Sequence, residues 1–313
     1  MTGLGNSERP TGGRVGQILT LGLILATYAV WGSAGEFWHS QYWWLAVVAM
    51  AICAAFHGSL QHETIHGHPT RFGWLNEALV SLPLIGIFPY RRYRELHLKH
   101  HNDMCLTDPY EDPESFYFPL SHYRAMRPLM RFLFAANNTF VGRLILGPWL
   151  TLYGFLRTEF ARLVLNEKGV RLAWVFHAAG LVLMGWIITR VFTMPLWAYA
   201  LLVTYPALAI TSIRAYAEHQ AAENVGARSA VVETGKVMAL LYLNNNLHIV
   251  HHASPATPWY DLPRLYRERR DQYLAANGHY LFFGYFEVAR RFAFRAKEQV
   301  DHPFLYRDGD AEG

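Results

Sequence analysis

The sequence predicts an all-α integral membrane protein: about four transmembrane helices with a cytoplasmic helical cap holding a histidine-ligated di-metal site. Three observations carry this. The chain has four long uncharged apolar runs, its positive charge is distributed to one side of them, and its histidines gather in three short clusters.

The apolar runs are Val15 to Trp31, Tyr42 to Phe56, Leu172 to Thr189 and Leu196 to Ile213. A helix crossing the hydrocarbon needs about 20 mostly apolar residues, and about 17 at the low end. The second run is short, but nothing charged follows it before Glu63, so its helix can continue. Two buried hairpins of a soluble bundle would show amphipathic faces, and none of the four runs has one. Two further apolar stretches are interrupted. Trp74 to Tyr90 contains Pro83 and Pro89, and Leu129 to Leu156 contains Arg131, Arg143 and Pro148. Both read as helices lying at the inner interface, with a re-entrant hairpin left open for the first.

The link Gly32 to Gln41 carries no Lys or Arg, whereas Gly58 to Arg171 carries thirteen. Cytoplasmic loops collect positive charge, so both termini and the central segment are expected inside, as in a bacterial inner membrane. Met1 to Gly13 is polar and Gly-rich, and the first run ends at Trp31 without a small-residue cleavage pattern, so it reads as a retained span. The expected organisation is a cytoplasmic tail (1–14), a membrane domain with the histidine clusters (15–265) and a cytoplasmic C-terminal segment (266–313). Hydrophobic residues make up 52% and charged residues 17% of the chain. The charged share is below the usual ~25%. The net charge of +4 comes from 24 Arg and 4 Lys against 24 acidic groups. Beside long apolar runs it points to lipid head groups or an acidic redox partner and not to nucleic acid. Two cysteines, Cys53 and Cys105, exclude a disulfide framework and a four-cysteine iron–sulfur cluster built from this chain alone.

The clusters are His62-Glu63-Thr64-Ile65-His66, His97-Leu98-Lys99-His100-His101 and His248-Ile249-Val250-His251-His252. Residues at i, i+3 and i+4 share one helix face, so each His-x-x-His-His offers three imidazoles to the same point. His62 and His66 offer two more. Asn244 lies one turn before His248 on the same face and is a candidate to bind a metal-bound water or the metal itself. Eight imidazoles are too many for one ion, so two ions are the economical reading. Imidazole suits iron, copper, nickel and zinc alike, so ligand type leaves the metal open. A site at the foot of a membrane domain can receive a long apolar chain, whose unactivated C–H bonds call for iron and dioxygen.

This order of boxes, with His251-His252-Ala253-Ser254-Pro255 running into Pro258-Trp259-Tyr260-Asp261-Leu262-Pro263, resembles the membrane-bound fatty acid desaturase/hydroxylase superfamily over roughly Phe56 to Leu265. The resemblance implies two iron ions held by His62, His66, His97, His100, His101, His248, His251 and His252. It also implies O2 as co-substrate, a lipid or acyl substrate, and electrons from a separate carrier such as a ferredoxin with its reductase. His219 matches the family's ninth histidine, and Asn244 the asparagine that reaches a metal through water. The reaction implied first is fatty acyl desaturation; hydroxylation or ketolation of a hydrocarbon or carotenoid-like lipid is the alternative. His62-Glu63-x-x-His66 is also the zinc-peptidase signature. A membrane peptidase would leave two clusters without a role. A metal transporter would want polar ligands inside the spans, where only His177 stands out.

Glu63 and Glu218 are candidates to orient ligand imidazoles. Arg91, Arg92, Arg94 and Lys99 form a candidate docking patch for an acidic partner, with a solvated basic face as the plainer reading. His39, His122, His279 and His302 are expected in solvent, and His57 and His177 in packing roles.

Overall fold

The computed structural model describes residues 13–305. In chain order its helices are α1 (Gly13–Glu36), α2 (Trp43–Ile65), α3 (Gly73–Leu79), α4 (Tyr90–His100), α5 (Leu120–Ala125), α6 (Pro128–Asn137) and α7 (Phe140–Val164). There follow α8 (Val170–Val191), α9 (Leu196–Glu218), α10 (Lys236–Leu241), α11 (His248–Ala253), α12 (Leu262–Ala276) and α13 (Tyr285–Phe292). Two-residue strands β1 (Val231–Val232) and β2 (Leu281–Phe282) pair in parallel. The chain divides into two interleaved units, one of residues 13–94 with Pro148–Thr211, the other of Glu95–Gly147 with residues 212–305. The C-terminal segment from residue 266 thus belongs to the second unit. Most of the expected N-terminal tail lies outside the described residues.

Among the described residues, α1, α2, α8 and α9 are each long and apolar enough to cross a membrane. Each contains one of the four predicted runs; α9 continues past Thr211 into the second unit. Their outward surfaces are apolar: Val182 is 74% exposed and Trp197 66%. Apolar side chains in quantity on the outside of a fold mark a lipid-facing surface. The inner surfaces close on Met50, Ala54, Leu84, Ile188 and Val203, all fully buried. A relay crosses this core, with Trp31 Nε1 donating to Tyr199 Oη at 2.9 Å and Tyr199 donating to the Leu84 carbonyl at 2.8 Å.

Trp74 to Tyr90 corrects the expectation of one interfacial helix. Only α3 is helical there; Ser81 to Pro89 is irregular and packs among the long helices. Buried backbone needs its polar groups satisfied. Gln61 donates to the Val80 carbonyl at 3.2 Å, and Thr204 to that of Ile85 at 3.2 Å. Gly180 lets the segment in, because a Cβ there would stand 3.0 Å from Pro83. Leu129 to Leu156 likewise breaks into α6 and α7, bent by 119°.

Arg92, read from sequence as a surface cation, is fully buried. Its Nε and Nη2 each lie 2.9 Å from an oxygen of Glu159, and Trp174 Nε1 donates to the same carboxylate at 3.0 Å. Removing one partner of a buried ion pair leaves an uncompensated charge. Glu159→Ala should therefore destabilise the protein by about 3–5 kcal/mol. Thermal unfolding in detergent should show a clear fall for this variant and recovery in Arg92→Leu/Glu159→Leu; equal midpoints for wild type and Glu159→Ala would contradict the assignment.

Candidate metal centre

In the second unit, α4 and α11 each carry a His-x-x-His-His. A helix turns about 100° per residue, so i+4 lies about 40° round from i and i+3 about 60° the other way. The structure uses that difference. His97 and His101 pair with their Nε2 atoms 3.0 Å apart, and His251 Nε2 lies 3.0 Å from His101 Nε2. His100 turns to a second group with His219, His248 and His252, whose ligand atoms all lie within 4.8 Å of one another. Each box therefore serves two foci, not the single point expected from a shared face.

In the second group the Nε2–Nε2 separations are 3.1 Å for His100–His219, 2.9 Å for His219–His248 and 3.1 Å for His248–His252. On three of these rings the opposite nitrogen is already engaged. His100 Nδ1 donates to Asp112 at 2.8 Å, and His219 Nδ1 to the Arg228 carbonyl at 3.2 Å. His248 Nδ1 faces Asn245 Oδ1 at 3.1 Å and Glu218 at 3.2 Å. A neutral imidazole carries one proton, so donation from Nδ1 leaves Nε2 bare. Bare nitrogens facing one another at hydrogen-bond distance need a cation between them. Burial, aided by neighbouring histidines, holds His219 and His248 well below the ordinary imidazole range and so keeps them neutral. Burial also opposes charge on His100, but Glu114 and Asp112 outweigh it and raise that group to about 9. One proton on His100 answers one contact only. The donor set fits a metal ion, whose binding displaces such a proton.

In the other focus His97 has the same kind of support. His97 Nδ1 meets Glu114 at 2.9 Å. Burial lowers the His97 imidazole against the pull of Glu114. Burial would raise Glu114, yet His97 and His100 hold it below the usual carboxylate range.

His62 and His66 belong to the first unit, at the end of α2, with ring centroids 5.0 Å apart. Glu63 is buried beside them in sequence. Glu218 does touch a candidate ligand, His248, and also receives Arg214 at 3.2 Å. Asn244 departs from its expected geometry. It has a left-handed φ of 57°, ahead of a helix that starts only at His248, and its Nδ2 donates to the Trp259 carbonyl at 2.9 Å. Asn245 is the asparagine whose side chain meets the ring of His248, a candidate ligand. Of the docking patch, Arg92 is buried as described, and Arg91 pairs with Glu77 at 2.6 Å and lies over the Phe176 ring. Arg94 and Lys99 are exposed. His302, expected in solvent, is fully buried.

Sequence reasoning missed Asp112 and Glu114, hidden in what reads as a turn-rich loop. Their signal was two carboxylates closely following a histidine box. A cleft of about 620 Å³ opens beside Tyr28, Leu82 and Phe192, but none of the histidines lines it.

These features define a membrane protein whose histidine clusters are able to hold metal. The family model described as fatty acid desaturase matches residues 38–284, most of the chain, and the protein belongs to that family. No curated protein matches it closely enough to count as a relative.

Partners that hold the far nitrogen of a ligand imidazole are worth about 10–100-fold in metal affinity. Asp112→Asn should weaken metal retention by that factor in a chelator competition while leaving the circular dichroism spectrum unchanged; unaltered retention would contradict the role given to Asp112.

Proposed function

We propose that this protein is an O2-dependent, non-haem di-iron oxygenase that desaturates a fatty acyl chain. The observation that carries the reading is the pair of imidazole clusters able to hold metal, in a chain of the desaturase family. His97, His101 and His251 are the proposed ligands of one iron, and His62 and His66 of the first box are proposed, from the sequence pattern, as further metal ligands. His100, His219, His248 and His252 are those of the other. When bound, the two irons supply the activation of dioxygen needed to remove hydrogen from unactivated C–H bonds.

The chain's own contribution is positional. Asp112, Glu114, Asn245 and the Arg228 carbonyl fix the tautomer and direction of His100, His97, His248 and His219 in turn. Buried rings keep bulk water from the reacting centre. The second focus draws on α4, on α11 and on His219 just after α9, so it is held by tertiary packing and not by one flexible loop. Asn244 is left with a water-mediated role through its carbonyl oxygen, and Glu63 with an orienting one. Electrons come from a separate donor, a ferredoxin or similar protein with its reductase. Arg94 and Lys99 are the members of the basic set exposed enough to meet it. The termini and the histidines are assigned to the cytoplasmic side of a bacterial inner membrane on the charge asymmetry of the loops.

The zinc-peptidase reading of His62-Glu63-x-x-His66 leaves the four-histidine group of the other unit without a task. Expression in a bacterial host with a ferredoxin system, followed by mass spectrometry of total lipid, distinguishes the reactions. The expected product is an acyl chain two hydrogens lighter, formed only with oxygen and absent from His252→Ala. An oxygenated lipid instead identifies a hydroxylase or ketolase, and an unchanged lipid profile contradicts the proposal.

A further inference from the structure

The residues that follow the family-matched region form a strap along the second unit. Val141 N donates to the Ala293 carbonyl at 3.1 Å, Lys297 N to that of Asn138 at 2.9 Å, and Phe118 N to that of Val300 at 2.9 Å. His302 N returns to the Phe118 carbonyl at 3.0 Å. Asn138 Nδ2 adds bonds to the carbonyls of Glu298 and Gln299 at 3.1 and 3.2 Å.

Two side chains of this strap reach inward. The Lys297 ammonium stands about equally far from three aromatic rings, 5.6 Å from Phe116, 5.6 Å from Tyr216 and 5.5 Å from Tyr280. Such rings favour a cation at their faces. It donates to Tyr280 Oη at 2.8 Å and to the backbone carbonyl of His219. His302 accepts at Nδ1 from Phe304 N and Leu305 N at 3.2 and 3.0 Å, so its proton is on Nε2 and is given to Thr107 Oγ1 at 3.2 Å. Thr107 N donates in turn to Asp112 Oδ2 at 2.8 Å, and the other oxygen of Asp112 holds His100. The strap therefore ends behind His219 by one route and behind His100 by the other. These are the two rings whose Nε2 atoms face each other at 3.1 Å.

We propose that residues 293–305 are a clasp of the metal centre, in which Lys297 is a positioning residue for His219 and His302 one for His100. The inference rests on the reading of those histidines as metal ligands. It adds that the focus of His100, His219, His248 and His252 is held shut by a segment outside the family-matched region. A lysine caged by aromatic rings and aimed at a ligand's carbonyl fixes backbone position, which sets where the ring's Nε2 can lie.

The test uses the full-length, iron-loaded protein and the variants Lys297→Met, Lys297→Arg and His302→Gln. Metal per chain, the rate of stripping by a chelator and the Mössbauer spectrum are measured for each. In Lys297→Met and His302→Gln, one of the two irons should be stripped at least tenfold faster, with its Mössbauer doublet shifted and the other unchanged. Lys297→Arg, which keeps a donor and a charge, should recover part of the retention. Stripping rates and spectra like those of wild type in both variants would overturn the clasp, as would equal loss of both irons, which marks general loosening. If Lys297→Met does not fold, His302→Gln and Lys297→Arg decide. A wild-type protein that binds no iron would instead refute the ligand reading itself.

Discussion

Everything in the second unit turns on imidazole nitrogens that face one another with their lone pairs forward. His219 sits 3.1 Å from His100 and 2.9 Å from His248, nitrogen to nitrogen, while the far side of each ring already gives its proton away. Such an arrangement is unfavourable unless a cation binds it together. Burial sharpens the constraint, because it denies His219 and His248 the protons that would otherwise relieve it.

The fold meets that constraint by anchoring His97, His100, His219 and His248 from behind. The helical difference between i+3 and i+4 sends His100 and His251 away from their box neighbours, so two boxes feed two foci. Asp112 links His100 to the loop before α5, Glu218 and Asn245 link His248 to the end of α9 and the turn before α11, and the β-bridge between His219 and Ser229 places the Arg228 carbonyl. Pro258 to Pro263 has a matching structural duty. The Trp259 carbonyl takes the Asn244 amide, and Leu262 begins α12 in the core beneath α11. In the first unit, buried charge is tolerated on the same terms, with Arg92 matched by a fork of bonds to Glu159.

The four spans and the histidine boxes were legible in the sequence because each is a local pattern: an uncharged run, or a fixed spacing. What depends on distant partners was not. Glu159 is 67 residues from Arg92, so nothing local marked that arginine as buried. His302 reads as an isolated polar residue until Thr107, 195 positions away, comes to meet it. Asn244 failed for a local reason of a different kind, since a left-handed turn ends the helical register that the spacing argument assumed. Ser81 to Pro89 carried two prolines, which argued against a helix, but the carbonyl partners that allow irregular backbone inside the membrane unit lie on other helices. His219 needed the family pattern, because one histidine at the end of a span has no spacing to announce it.

The most direct test of the account is the metal content of the purified protein, read by elemental analysis and Mössbauer spectroscopy after expression with iron supplied. Two irons per chain in a histidine-rich environment, with one lost when His248 and His252 are both replaced by alanine, is the result predicted. One zinc per chain, or a metal content untouched by those replacements, would contradict it.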